Sequence, residues 1–272
     1  MVDTTRCAVA LLALLLCAGC AGCAGTRAAS EAGPPPGGPF DYQLGGAYEP
    51  TADVDTVVRD ATAEPAEGRY SVCYVNGFQT QPQESARWEA EHPDLLLRGD
   101  DGEPVADPEW PDELLLDTST PAGRAEVARV VGETVAGCAE RGFDAVEFDN
   151  LDSHTRSGGR LTADDNLELA SALVAGAHER GLAAAQKNAA ELTGRAREEA
   201  GFDFAVAEEC AAFDECAAYT DVYATVLVIE YPDTLDTPFD QVCEAPDTPA
   251  TTILRDRGLL VPGDAKYLRR SC

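Results

Sequence analysis

The chain has 272 residues, 49 of them acidic and 20 Lys or Arg, for a formal net charge of −29. Such a balance argues against nucleic-acid phosphates and against anionic lipid headgroups as partners, because both need a basic face. With 44% hydrophobic residues the chain can still bury a core, and its length suits one large domain or two small ones.

Arg6 precedes an apolar run from Ala8 to Ala18, about the length of a signal-peptide core and too short for a stable bilayer span. The run ends in Leu16-Cys17-Ala18-Gly19-Cys20, which resembles the lipobox of bacterial lipoproteins with Cys17 at the usual Leu position. Residues 1–19 are therefore expected to be a signal peptide and Cys20 to be lipidated, with Cys23 as second choice. An ordinary cleaved signal peptide is the alternative. Removing residues 1–19 discards Asp3 and Arg6 and leaves the charge at −29. Residues 20–39, centred on Pro34-Pro35-Pro36-Gly37-Gly38, read as a flexible tether. The expected location is extracytoplasmic, at a bacterial cell surface, with the membrane met only through the lipid; without lipidation the protein is secreted.

From Phe40 onward short apolar runs alternate between strand-like and helix-like patterns. Strands are expected at Tyr42–Leu44, Val54–Val58, Tyr70–Val75, Leu114–Leu116, Ala145–Asp149, Leu182–Lys187, Phe204–Glu208, Thr225–Glu230 and Thr252–Leu254. Several are almost continuously apolar, as in parallel sheets covered on both faces. Thr120-Pro121 opens a helix that stops at Gly142, and Thr162 caps a second that ends at Gly181. A third runs from about Ala189 to Ala200. Asp94–Arg98 and Glu103–Val105, joined by Gly99-Asp-Asp-Gly102, read as a hairpin inserted before Leu114–Leu116, taken as the fourth barrel strand. The rhythm suits an α/β fold, a single (β/α)₈ barrel of the TIM type over residues 40–272. A doubly wound sheet normally carries a Gly-rich phosphate loop, and neither GxGxxG nor GxxxxGK[ST] occurs.

In such a barrel the chemistry sits at the C-terminal ends of the strands. Those ends are Tyr74-Val75-Asn76, Glu147-Phe148-Asp149-Asn150 with Asp152, Gln186-Lys187-Asn188, Glu208-Glu209-Cys210 and Glu230-Tyr231. Alternation places Ala145, Glu147 and Asp149 on one face, so two carboxylates one pleat apart can point into the barrel mouth. Carboxylates on two strands facing one cleft suit glycoside hydrolysis, which needs one ionised and one protonated. Lys187 is placed to keep Asp149 ionised, and repulsion is expected to raise the pKa of Glu208. Each piece has a plainer alternative: Asp149 as a helix cap, Glu208 as a structural ion-pair partner, Trp88 and Trp110 as packing. Glu147, Asp149 and Asp152 together could hold a hard cation. With three histidines and neither HxH nor HExxH, a zinc hydrolase is disfavoured, and no GxSxG elbow serves an esterase. Neither a metal nor a cofactor is called for.

The run Gly142-Phe-Asp-Ala-Val-Glu-Phe-Asp-Asn-Leu-Asp152 is followed by Leu161–Asp165, Ala177–Leu182, Gln186-Lys-Asn188, Phe202–Cys210 and Asp214-Glu-Cys216. In that order these segments resemble the endo-α-1,4-polygalactosaminidase family, glycoside hydrolase family 114, a (β/α)₈ barrel. The resemblance spans about Tyr42 to Tyr231 and implies retaining hydrolysis of α-1,4-linked galactosamine polymers. It implies Asp149 as nucleophile and Glu208 as acid/base; the other strand-end residues, Tyr74, Asn76, Glu147, Asn150, Asp152, Lys187, Asn188, Glu230 and Tyr231, are expected around the substrate. Phe148 replaces the family's usual Pro, Ala207 its Asn, Glu209 its Gln, and Ala189 the Asp that commonly follows Lys-Asn. The implied partner is a polysaccharide, cationic when deacetylated; the counter-hypothesis is a catalytically silent sugar-binding barrel. Six cysteines lie beyond residue 23, an even number that fits three disulfides in an exported protein. The expected pairs are Cys210–Cys216, Cys73–Cys138 and Cys243–Cys272.

Overall fold

In the computed structural model, which describes Met1 and residues 33–272, strand alternation does most of the building. The signal segment, Cys20 and Cys23 lie outside the described residues. Eight parallel strands follow one another around a curled sheet: β1 (Phe40–Gln43), β2 (Thr56–Asp60), β3 (Tyr70–Asn76), β4 (Ala145–Asp149), β5 (Ala183–Lys187), β6 (Phe204–Glu208), β7 (Val226–Glu230) and β8 (Thr252–Arg255). A ninth, β9 (Arg269–Ser271), runs antiparallel on β8. One face of each strand fills the barrel interior with Phe40, Tyr42, Val72, Ala145, Ala185, Phe204, Leu227 and Ile253. The other face packs under the helices through Val75, Phe148, Ala184 and Ala205.

Two long helices cover β3 to β5. Helix α2 (Pro121–Arg141) starts where the Thr120 hydroxyl accepts from Gly123 N at 3.0 Å and ends at Gly142, whose φ of 92° is the left-handed cap glycine supplies cheaply. Helix α3 (Ala163–His178) opens with a reciprocal box between Thr162 and Asp165, and its Leu167, Ala170, Leu173, Val174 stripe is buried. The remaining helices are short: α1 (Ser85–Glu91), α4 (Thr193–Arg195), α5 (Cys216–Thr220) and α6 (Phe239–Glu244). The helix expected over about Ala189–Ala200 is a mixed turn instead, with 3₁₀ geometry at Ala190–Leu192 and a π turn at Ala196–Ala200. Ala189 enters it with a φ of 61°, a left-handed start that a regular helix does not accept.

One expectation about the sheet is corrected. Leu114–Leu116 is not a barrel strand, because β3 pairs directly with β4. It joins the inserted hairpin, bridging Gln79, Leu96 and Ala106 in antiparallel fashion, and forms a small satellite layer over the barrel top. The eighth parallel strand is supplied instead by β8, and β9 adds an antiparallel ninth. β1 and β8 share no strand pairing among the described residues. The seam is bridged by side chains: buried Arg255 donates to Tyr42 O and sits 3.3 Å from Asp41, and Arg269 donates to Phe40 O at 2.9 Å. Residues 33–39, the end of the segment read as a tether, lie against the barrel. Tyr70 OH donates to Gly33 O at 2.7 Å and Pro35 is buried.

The structure contains the disulfides Cys73–Cys138, Cys210–Cys216 and Cys243–Cys272. The first ties the outer face of β3 to α2, and the last fixes β9 to α6. Three disulfides fit folding in an oxidising, extracytoplasmic compartment. Among the described residues no helix is long and apolar enough to cross a membrane.

Candidate active site

At the C-terminal mouth of the barrel three strands deliver polar side chains to one buried ammonium on a fourth. Lys187 ends β5 on the inward parity of Ala183 and Ala185, and it is 3% exposed. Its Nζ lies 3.0 Å from Glu208 Oε2, 3.3 Å from Glu147 Oε1 and 3.5 Å from Asp149 Oδ1, and it donates to Tyr42 OH at 3.1 Å. Because one nitrogen reaches both Asp149 and Glu208, the sum of the two distances, about 6.5 Å, is the ceiling on the separation of their nearest oxygens.

Each carboxylate has its own orienting partners. Asp149 accepts from Tyr74 OH at 2.5 Å and from Asn150 N at 2.9 Å. Glu208 accepts from Tyr231 OH and from Asn188 Nδ2 at 3.2 Å, while Asn188 Oδ1 receives Glu208 N at 2.8 Å. The residues that follow these strand ends, Asn150, Asn188 and Glu209, all have positive φ (67°, 49° and 63°). Asn tolerates that region; Glu209 is held there at a cost of about 1 kcal/mol, a strain of the kind stored where a strand end must aim a functional group. Arg257 pays it back in contacts, bridging Glu209 at 2.8 Å and Asp233 at 3.1 Å and stacking 4.2 Å over the Tyr231 ring.

Electrostatics separate Glu147 from Glu208. Glu147 is wholly buried beneath Lys187, and burial outweighs the lysine's pull, pushing its carboxyl up to about 7. For Glu208 burial also acts upward, but the Lys187 charge and the hydrogen bonds from Tyr231, Lys187 and Asn188 win, holding it below the ordinary Glu value. The expected elevation of Glu208 is thus reversed, because Lys187 stands nearer to Glu208 than to Asp149. Those attractions in turn keep Lys187 protonated against its burial, well above its usual pKa.

The mouth opens into a cavity of about 600 Å³. Of the residues named from sequence, Tyr74, Asp149, Asn150, Asp152, Lys187, Asn188, Glu208 and Tyr231 line it. Glu147 lies below its floor. Asn76 braces its wall, accepting from Asn150 Nδ2 at 3.0 Å and donating to Glu113 at 3.3 Å. Glu230 does not belong to it. Leu227, Ile229 and Tyr231 take the inward parity of β7, so Glu230 points outward and accepts Ala211 N at 2.8 Å and Ala212 N at 3.3 Å, clamping the Cys210 loop. Period-two alternation applied to that strand identifies it as structural. Asp152 turns to Arg156 at 2.9 Å, so Glu147, Asp149 and Asp152 do not converge as a cation site; Lys187 occupies the centre between the first two.

Some cleft residues were not singled out from sequence. Tyr42 shares the inward parity of Phe40 and donates to Glu147 at 2.7 Å, a position alternation in β1 makes readable. Asp107 and Glu113 come from the inserted layer, Arg156 from the turn after β4, and Phe213 and Arg257 from later loops. Trp88 is buried packing against His92, whereas Trp110 is 59% exposed at the cleft.

The family model for glycoside-hydrolase family GH114 matches residues 23–272. No curated protein matches the chain by sequence. Among solved structures, Aspergillus fumigatus Ega3, in complex with galactosamine, has a TM-score of 0.68 at 22% identity, covering 88% of this chain and 96% of that one. The glycoside hydrolase domain of PelA from Pseudomonas aeruginosa has a TM-score of 0.54 at 14% identity, covering 86% and 97%. The α-galactosidase TtGalA from Thermus thermophilus, in complex with p-nitrophenyl α-D-galactopyranoside, has a TM-score of 0.52 at 15% identity, covering 84% and 60%. At these identities the structural likenesses carry the fold, a TIM-type barrel. The match over residues 23–272 carries the family: the chain belongs to glycoside-hydrolase family GH114 and is a glycoside hydrolase.

Proposed function

We propose that the protein is an exported, endo-acting hydrolase of α-1,4-linked galactosamine-type polysaccharide. It works with retention, Asp149 being the nucleophile and Glu208 the acid/base, and is held at the cell surface through lipidated Cys20. The observation that carries the catalytic pair is the single buried Lys187 ammonium within 3.5 Å of both carboxylates. Retaining glycosidases hold their carboxyl groups roughly 5–5.5 Å apart, and inverting ones need about 6.5–9.5 Å to admit a water. The ceiling of about 6.5 Å between the nearest oxygens supports the first geometry.

In the first step an oxygen of ionised Asp149 attacks the anomeric carbon from the β face. The glycosidic bond breaks, and its oxygen takes the proton that Glu208 carries on the acid side of its lowered pKa and departs as the hydroxyl of the leaving chain. Tyr74 and Asn150 N fix the Asp149 carboxylate for the attack. In the second step Glu208, now ionised, takes a proton from water as the water oxygen attacks the same carbon, and the Asp149 ester bond breaks. Carboxylate and carboxylic acid are both regenerated. Lys187 stabilises whichever of the two carries the charge at each stage.

The sugar class is supported by the galactosamine in the Ega3 complex and by charge. Asp107, Glu109, Glu113, Asp152, Glu191, Glu209 and Glu215 line the cleft, and the whole chain carries −29. A deacetylated galactosamine polymer is a polycation, which such a field draws in, less so as salt rises. Exposed Trp110 and Phe213 (62%) offer flat apolar faces at the rim. The test is reducing-end release from partly deacetylated α-1,4-galactosaminoglycan beside neutral α-glucans and α-galactans. Release from the galactosamine polymer alone, slowed by salt, is expected; release from a neutral polymer alone overturns the substrate.

A further inference from the structure

The cleft acids sort by whether a cation answers them. Asp149 and Glu208 have Lys187, Asp107 and Asp152 have Arg156 at 2.5 Å and 2.9 Å, and Glu209 has Arg257. Glu109, Glu191 and Glu215 have none among the described residues, but they are exposed and water solvates them. Glu113 stands apart: it is half-buried in the cleft wall, and no cation lies within ion-pair distance among the described residues.

Its two oxygens differ. Oε2 is fixed by two neutral amides, Gln79 Nε2 at 3.1 Å and Asn76 Nδ2 at 3.3 Å. Oε1 has no partner among the described residues. The backbone on both sides is rigid, with Glu113 N bonded to Trp110 O at 2.8 Å and Asp107 N to Glu113 O at 2.9 Å. A continuous hydrogen-bonded wall runs from Glu113 through Asn76 and Asn150 to Asp149. Burial, then the Asp149 charge, push the carboxyl up to about 7 against the pull of Gln79. A half-buried anion without a counter-charge is unfavourable, and an arriving ammonium removes the penalty.

We propose that Glu113 is the specificity-determining residue that receives the charged amino group of the sugar seated beside Asp149, through its free Oε1. In an α-galactosaminide that amine sits on the carbon next to the anomeric carbon that Asp149 attacks, and the hydrogen-bonded wall carries Glu113 into the same cleft as Asp149. An N-acetylated sugar presents a neutral, bulkier amide there and gains nothing from the carboxylate. The inserted layer thus supplies both a charge reader and, through Trp110, an apolar face. The inference rests on the amino-sugar reading of the preceding section.

The test compares wild type with Glu113→Gln, which keeps the shape and an acceptor for the amides while removing the charge. The substrates are α-1,4-galactosamine oligomers, deacetylated and N-acetylated, and free galactosamine and galactose are titrated as ligands. A hydrogen bond to a charged group converts to about 10- to 100-fold, so the preference for the deacetylated oligomer in kcat/KM, and for galactosamine over galactose in binding, falls by that factor. Hydrolysis of the deacetylated oligomer with both preferences unchanged in Glu113→Gln overturns the inference and leaves the substrate reading standing. A wild type that neither hydrolyses the galactosamine oligomers nor prefers galactosamine overturns both.

Discussion

Replacing Tyr231 by Phe takes one hydroxyl out of the site and little else. The ring is stacked under Arg257 at 4.2 Å, a contact a phenyl ring keeps. What goes is the O–H donated to Glu208 Oε1. Burial drives the Glu208 pKa up, and that hydrogen bond is one of the forces, after the Lys187 charge, that bring it below the ordinary value. A hydrogen bond to a charged group is worth about 1.5–3 kcal/mol, which corresponds to about 1–2 pH units. As the general acid Glu208 must be protonated, so activity is lost as pH rises through its pKa. Raising that pKa moves the loss to higher pH. The assay is kcat/KM on a deacetylated galactosamine oligomer across the acidic and neutral range, with free-enzyme pKa values read from both limbs. The basic limb of Tyr231→Phe is expected about 1–2 units above that of wild type. A limb that stays in place, or moves to lower pH, refutes the assignment of Glu208 as the acid held down by Tyr231.

Other outcomes follow from the same geometry. Glu208→Gln is expected to slow turnover about 10²- to 10⁴-fold and Asp149→Asn to do so at least as severely; full activity in either variant, measured by reducing-end release, removes that residue from the mechanism. Burial raises Glu147 and Glu230 from an unfolded value near 4.5 to about 7, so the folded state binds their protons more tightly. That stabilisation is fully present below about pH 4.5 and is lost as pH rises through about 7, on the order of 3 kcal/mol per buried group. Tm is accordingly higher near the acidic end of that window than at its top. Glu230→Gln flattens the dependence and separates it from the relief of net-charge repulsion; a Tm that climbs steadily towards neutral pH contradicts the sign. Removing Cys73–Cys138, which spans 65 residues, is expected to cost about 4 kcal/mol of unfolding free energy in denaturant titrations of a double Ala variant; a cost under about 1 kcal/mol contradicts it.

The barrel was legible because its strands obey alternation over apolar runs and its two main helices carry Thr caps and Gly stops. The same alternation placed Glu147 and Asp149 on one face, and the rule that chemistry sits at strand ends brought in Lys187 and Glu208, which close β5 and β6. Alternation failed for Glu230 only because it was not applied: Leu227 and Ile229 set the inward parity, and the glutamate falls between them. Leu114–Leu116 misled for a physical reason, since a short apolar run has the same pattern whether it pairs in a barrel or caps one. The order of charge effects at Lys187 was not readable either, because which carboxylate lies nearest depends on a few tenths of an ångström between side chains from three strands. Glu113 and Trp110 reach the cleft through long-range bridges of the inserted layer, and no local pattern announces where such a layer will lie.

The most direct test of the central claim, two-step displacement through Asp149, is the configuration of the first sugar released. Proton NMR during the first minutes of hydrolysis of an α-1,4-galactosamine oligomer reads the anomeric signal before mutarotation blurs it. Two displacements at one carbon predict the α-anomer first, followed by slow appearance of β. If β forms first, water attacks directly, and the pairing of Asp149 with Glu208 across Lys187 is not the catalytic geometry.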